Sequence, residues 1–232
     1  MEEINQTTIA KYIDSTCVKP DATREDIRTL CQNAQKYAFH SVCITSYRVK
    51  DARDFLGESA GIEIICVIGF PDGVTTIEEK VDEAKTAVSN GATEIDTVVN
   101  IGAIKDGNWD HVKNEISQIA QAIAPVQLKV ILEIGYLTKE ELIQACKVTK
   151  EAGAAFVKTS TGLGPRVPTV EDIKIMRETV GPDFGVKAAG GIKDFTTAKA
   201  MVEAGADRLG TSHALEIIGI KEETEEKTLS KE

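Results

Sequence analysis

A recurring seam restricts what this chain can fold into: a helical stretch gives way, through a glycine, to an apolar run. It occurs at Asn90-Gly91-Ala92, Ala152-Gly153-Ala154 and Ala204-Gly205-Ala206. Glycine ends a helix in the left-handed conformation, and the short apolar run that follows reads as a buried strand. Eight such strands can be placed along the chain. Six lie near 12–14, 41–44, 62–68, 94–99, 128–133 and 206–210, and the sixth and seventh in order end in or carry Lys158 and Lys187. Helical stretches lie between them. Thr23-Arg24-Glu25-Asp26 is a capping-box pattern, Ile77, Val81, Ala84 and Val88 keep helical spacing after Thr76, and another helix opens at Thr138. Parallel strands need helical crossovers of this kind, and eight of them in 232 residues predict a (β/α)8 TIM barrel. The competing doubly wound open sheet lacks a GxGxxG after the first strand. The expected organisation is α/β: a single barrel domain over 1–220, opening with a short N-terminal helix near Thr7. A charged C-terminal tail over 221–232 is read as a frayed helix end or disordered.

Composition narrows the partners. A net charge of −10 disfavours nucleic acid and anionic membrane, while leaving room for a small anion held by local groups. No apolar run reaches the ~18 residues of a membrane span, and the acidic N-terminus does not read as a secretion signal. Cys17, Cys31, Cys43, Cys66 and Cys146 are odd in number and form no CxxC pair, which points to a reducing, cytoplasmic setting. None of His40, His111 and His213 has a histidine partner at metal-ligand spacing, so no metal and no cofactor is expected.

Chemistry in a barrel sits where the strands end. Two lysines stand at such ends, in Phe156-Val157-Lys158-Thr159-Ser160-Thr161-Gly162 and Gly185-Val186-Lys187-Ala188-Ala189-Gly190-Gly191. A lysine in apolar surroundings is costly to charge and serves as an amine nucleophile. If the two converge, each cation is expected to lower the other's pKa. Asp14, Cys43, Asp96, Lys129 and Glu133 are further strand-end candidates. Lys129 and Glu133 can equally be structural ion-pair members, with Asp14 or Asp96 as partners. Cys43 reads better as a small residue lining the pocket than as a nucleophile. Gly190-Gly191 and Gly210-Thr211-Ser212 follow the seventh and eighth strands, where barrels bind phosphate, and Gly162 can add a backbone donor.

These motifs, together with Ile13-Asp14, Lys19-Pro20-Asp21-Ala22-Thr23, Glu94-Ile95-Asp96 and Leu128 to Glu133, resemble the deoxyribose-phosphate aldolase family from about residue 7 to 218. The resemblance implies a class I, cofactor-free lyase on a TIM barrel. Such an enzyme reversibly cleaves 2-deoxy-D-ribose 5-phosphate to glyceraldehyde 3-phosphate and acetaldehyde in nucleoside breakdown. It also implies the roles. Lys158 forms the Schiff base, Lys187 keeps its amine neutral by like-charge repulsion, and Asp96 shuttles protons through a water. Asp14 and Lys129 support that relay. Thr16, Cys43, Thr161, Gly162, Gly190, Gly191, Gly210 and Ser212 would hold the sugar phosphate. The partners implied are sugar-phosphate and aldehyde substrates; because barrels often associate through their outer helices, a homodimer or higher homo-oligomer is also expected. A Schiff-base aldolase for another sugar phosphate, or a barrel that binds one without turning it over, are the alternatives.

The chain departs from the family pattern at Ser15, where a histidine is usual, at Ile134 after Glu133, at His213 after Ser212, and across Arg166-Val167-Pro168. Arg166 is read as a loop arginine in solvent or as a second grip on the phosphate.

Overall fold

The computed structural model describes residues 3–57 and 61–220; the tail expected at 221–232 lies outside them. Among the described residues, eight parallel strands close into a barrel in sequence order. They are β1 (Ile13–Cys17), β2 (Ser41–Thr45), β3 (Glu63–Ile68), β4 (Glu94–Val98), β5 (Gln127–Ile131), β6 (Phe156–Lys158), β7 (Gly185–Ala189) and β8 (Arg208–Thr211). Closure comes from β1 beside β8, with Asp14 opposite Gly210. Around the barrel lie α1 (Arg24–Tyr37), α2 (Val49–Leu56), α3 (Ile77–Ser89), α4 (Ile101–Lys105), α5 (Trp109–Ile123), α6 (Lys139–Glu151), α7 (Val170–Val180), α8 (Phe195–Glu203) and α9 (Ala214–Ile217). A 3-10 turn over Thr8–Tyr12 supplies the expected N-terminal helical stretch.

The barrel follows from strands buried on both faces, which is why they read as near-continuous Val, Ile and Ala runs. In β2, Val42, Cys43 and Ile44 are all inaccessible to solvent. Helix α1 buries Ile27, Cys31 and Ala34, spaced four and then three apart, on one stripe against the sheet. Each buried isoleucine of this kind contributes ~1.5–3 kcal/mol. Helices α1, α3, α6 and α7 each begin with a reciprocal capping box, from Thr23 and Asp26 to Thr169 and Asp172. Such a box satisfies two otherwise unpaired backbone donors and fixes where the helix starts.

Most strand ends shift by a residue or so from expectation, and three shifts are larger. β1 runs on to Cys17, because its pairing with β2 continues through Cys17 opposite Ile44. β5 stops at Ile131, since Glu133 turns into the left-handed region at φ 48. β8 starts at Arg208 and the following helix at Ala214, so Ser212 belongs to the connecting loop.

One buried ion pair ties the outer layer to the barrel. Lys80 Nζ donates to Glu115 Oε2 at 2.8 Å, to the Gly73 carbonyl at 2.8 Å and to the Val98 carbonyl at 2.9 Å. Glu115 Oε1 in turn accepts from the Asn100 amide at 3.1 Å. Both side chains are fully buried, so the three donors of the ammonium meet three acceptors.

Candidate active site

Parallel pairing places Lys158 on β6 opposite Lys187 on β7, and Asp96 on β4 opposite Lys129 on β5. All four side chains meet inside the barrel. Asp96 Oδ2 accepts from Lys158 Nζ at 2.8 Å and from Lys187 Nζ at 2.9 Å, and Lys129 Nζ lies 3.4 Å from Asp96 Oδ1. On its other side Lys187 Nζ stands 2.6 Å from Asp14 Oδ2. Ser41 completes this edge by donating to Asp14 Oδ1 at 2.8 Å. The sequence-predicted catalytic residues Asp14, Asp96, Lys129, Lys158 and Lys187 therefore form one connected cluster.

Electrostatics sort these groups. Burial pushes the Asp96 carboxyl up, but the charges of Lys158, Lys187 and Lys129 outweigh it and hold Asp96 well below the usual carboxylate range. For Lys187, burial favours the neutral amine, and Asp14 and Asp96 overcome it, so the group is held above the ordinary lysine range. The expected lowering of Lys187 does not hold: Asp14 at 2.6 Å and Asp96 at 2.9 Å favour its charged form.

Lys129 is tied to a residue that strand-end reasoning missed. Its ammonium hydrogen-bonds Glu94, the first residue of β4, whose other oxygen is 3.9 Å from His40 Nε2. Burial opposes ionisation of Glu94, yet contact with His40 and the Lys129 charge bring its pKa down to about 2. The signal was present in sequence: Glu94 and Asp96 are two apart on one strand, so both face inward. Glu133 pairs with neither Asp14 nor Asp96. It lies beyond β5, where Oε2 accepts from the Thr161 amide at 3.0 Å and from the Thr161 hydroxyl.

Above the cluster a cavity of about 510 Å³ opens between the loops after β1, β6, β7 and β8. Thr16, Thr161, Gly162, Gly190, Gly191, Gly210 and Ser212 line it, as expected, and Lys158 is the interior lysine that reaches it. Gly162 and Gly190 both take positive φ, 89° and 102°, and a side chain on Gly190 would sit 3.6 Å from Gly162 Cα. That close approach brings two backbone turns together where an anion can be met by N–H groups. Gly210 serves another purpose as well: a Cβ there would sit 3.1 Å from Lys187 Cε, so its bareness leaves the lysine stem a path toward Asp14. Lys193, unnoticed in the sequence, lines the same cavity as an exposed cation two residues past Gly191.

Two expected contacts are absent from this cavity. Cys43 lies below it, fully buried against Ile65 and Val67, because alternation along β2 turns it into the barrel interior. Burial pushes its thiol up despite the nearby Lys187 and Lys158, so it stays an inert packing group. Arg166 is exposed, as the loop reading expects, and does not line the cavity. Its guanidinium makes a two-pronged pair with Asp172 at 2.7 and 3.0 Å, which pins the loop after β6 to the start of α7. Among the described residues, no group of three or more His, Cys, Asp or Glu side chains is placed to hold a metal ion.

This geometry coincides with a known lineage. The model of the DeoC/LacD family aldolases matches residues 8–219. The deoxyribose-phosphate aldolase of Thermococcus kodakarensis is 51% identical over 218 residues, 93% of this chain and 97% of that protein. That of Aciduliprofundum boonei is 54% identical over 212 residues, 90% of this chain and 95% of its own length. The tetrameric deoxyribose phosphate aldolase structure from Aeropyrum pernix superimposes with a TM-score of 0.85 at 34% identity, covering 92% of this chain and 91% of that one. With its barrel, interior lysines and match over nearly the whole described length, the chain belongs to the DeoC/LacD family of aldolases.

Proposed function

We infer that the chain is a class I aldolase that reversibly cleaves 2-deoxy-D-ribose 5-phosphate to glyceraldehyde 3-phosphate and acetaldehyde, with Lys158 as its Schiff-base nucleophile. The observation that carries the assignment is the division between two lysines on one carboxylate. Lys187 is fully buried and held as a cation by Asp14 and Asp96, whereas Lys158 shares Asp96 but opens onto the cavity. Of the three clustered lysines, Lys158 is the one that lines the cavity, so its amine is the one placed to meet a carbonyl carbon beside Asp96.

In the cleavage direction the Lys158 amine adds to the aldehyde carbon of the open-chain sugar and water leaves, giving an iminium. The hydroxyl beyond the scissile bond then loses its proton, the C–C bond breaks, and its electron pair flows into the iminium to give an enamine. Protonation at carbon and hydrolysis return the amine and release acetaldehyde. Asp96 stays ionised beside the cations of Lys187 and Lys129 and passes protons through a water rather than storing them. Asp14 fixes Lys187, and Lys129 steadies the other oxygen of Asp96. The phosphate would lie against the Gly162, Gly190, Gly191 and Ser212 turns, with Lys193 as counter-charge.

A catalytic unit spanning residues 1–220 and a cytoplasmic role in nucleoside breakdown complete the reading. Support for the compartment comes from five cysteines that are all unpaired thiols, four of them buried. Among the described residues, no helix is long and apolar enough to cross a membrane. A homo-oligomer is favoured by the tetrameric relative from Aeropyrum pernix. The test is borohydride trapping: acetaldehyde, reduction and peptide mapping place an ethyl group on Lys158. An adduct on Lys187 or Lys129 instead overturns the roles, and no adduct overturns the aldolase.

A further inference from the structure

We propose that Glu133 is a positioning residue for the substrate cavity: it fixes the turn over residues 161–164, and through that turn the glycines that meet the sugar phosphate. The proposal rests on the aldolase reading above.

Glu133 is 2% exposed and adopts a left-handed backbone at φ 48, a conformation uncommon outside glycine, asparagine and aspartate. Such a residue persists only where its surroundings over-determine it. What holds it is the loop after β6. Its Oε2 accepts from both the amide and the hydroxyl of Thr161, and that hydroxyl also accepts from the Leu163 amide at 3.0 Å. The Ile134 amide donates to the Thr159 carbonyl at 3.0 Å, so the two turns are joined by backbone as well.

Packing repeats the message. A Cβ on Gly164 would lie 2.4 Å from Glu133 Oε1, and one on Gly135 would lie 2.9 Å from Pro165 Cδ. The loop is laid directly on the glutamate, and two glycines permit the contact. A second hollow, of about 270 Å³, lies on this side of the loop and is bounded by Asp72, Ile101 and Tyr136. Thr161 and Leu163 line both spaces, whereas Glu133 lines only the second. Glu133 therefore stands behind the wall of the substrate cavity and acts on substrate only through Thr161 and Gly162. Its remaining oxygen, Oε1, is buried and has no hydrogen-bond partner among the described residues, a cost tolerated where geometry matters more than stability.

The test compares the E133A, E133Q and T161V proteins with the unsubstituted chain. Two readouts are used: kcat and KM for 2-deoxyribose 5-phosphate against 2-deoxyribose, and borohydride-trapped acetaldehyde on Lys158. Acetaldehyde carries no phosphate, so trapping reports the lysine alone. E133A is expected to raise KM for the phosphorylated sugar about ten-fold, the order of two lost hydrogen bonds, with trapping and the KM for 2-deoxyribose within about two-fold. E133Q keeps an oxygen for Thr161 and is expected to stay near the unsubstituted chain. In the E133A/T161V double substitution the KM effects are expected to overlap rather than add, which separates positioning from direct contact. Unchanged KM in E133A, a parallel fall of trapping and turnover, additive effects, or an E133Q protein as impaired as E133A each overturn the proposal. Should E133A fail to fold, E133D, whose shorter carboxylate draws back from Thr161, carries the same split: a KM rise confined to the phosphorylated sugar supports the latch, and an unchanged KM or a fall in trapping refutes it. Absence of trapping in the unsubstituted chain refutes the aldolase reading independently of Glu133.

Discussion

Lys158 and Lys187 face each other across two parallel strands and share a single oxygen, Asp96 Oδ2, at 2.8 and 2.9 Å. Their identical side chains are distinguished by surroundings alone. Lys187 has a second carboxylate and no access to the cavity, while Lys158 has the cavity and no second carboxylate. Replacing Lys158 with methionine should lower turnover ~10³-fold or more and abolish the adduct at that position, because Lys158 is the cavity-lining amine bonded to Asp96. The K187M protein should also lose turnover. A retained adduct would then mark Lys187 as the electrostatic partner.

Gly210 tests how tightly the path of Lys187 is drawn. A methyl there would sit 3.0 Å from the Ala189 side chain and 3.1 Å from Lys187 Cε. G210A should cost about 1–3 kcal/mol of stability by overpacking. Turnover should drop at least ten-fold as Lys187 is displaced from Asp14. Denaturant unfolding and steady-state kinetics on the same sample separate the two.

The Lys129–Glu94 pair makes a sharper claim about stability. Both groups are buried, so removing Lys129 leaves the Glu94 carboxylate with only His40, 3.9 Å away, for company. K129M should destabilise by ~3–5 kcal/mol in urea unfolding, and E94Q in the K129M background should recover a large part of it. Equal losses in the single and double substitutions would refute the coupling.

Acid should unfold the chain in a defined window. An unfolded glutamate titrates near ~4.3, and Glu94 in the folded state near about 2, so between these values the folded state binds fewer protons. The contribution of Glu94 is therefore complete above ~4.3 and is lost as pH falls toward 2. Asp96 shifts in the same direction and extends the loss to lower pH. E94Q should flatten the slope of unfolding free energy against pH in this window, and a slope equal to that of the unsubstituted chain would refute the assignment.

Much of this was legible beforehand because it rests on local chemistry. Thr23, Thr76 and Thr138 mark helix starts through hydroxyl–amide bonds within four residues, and the periodicity of the strands needs no tertiary partner. The lysines at strand ends were visible for the same reason. What escaped depends on meetings between distant segments. Glu133 looked like the last residue of a strand, because the loop that bends it, around Thr161, lies 28 positions away. Arg166 looked unattached because its partner Asp172 belongs to the capping box of the next helix. Glu94 read as a strand-opening acid, although its spacing from Asp96 already placed it inside.

The Lys80–Glu115 pair outside the barrel bears on how the molecule breathes. By holding the carbonyl of Val98, two residues after Asp96, it grips β4 from the face opposite the cavity. Asp96 thus sits on a strand whose carbonyl is held by a buried ammonium, while Lys158 lies beside the loops that line the cavity. Motions needed for entry and release can run through the β6 to β8 loops without shaking the carboxylate. Amide exchange should reveal this asymmetry as slow, global-type opening along β3 and β4 and faster local opening near Gly162 and Gly190.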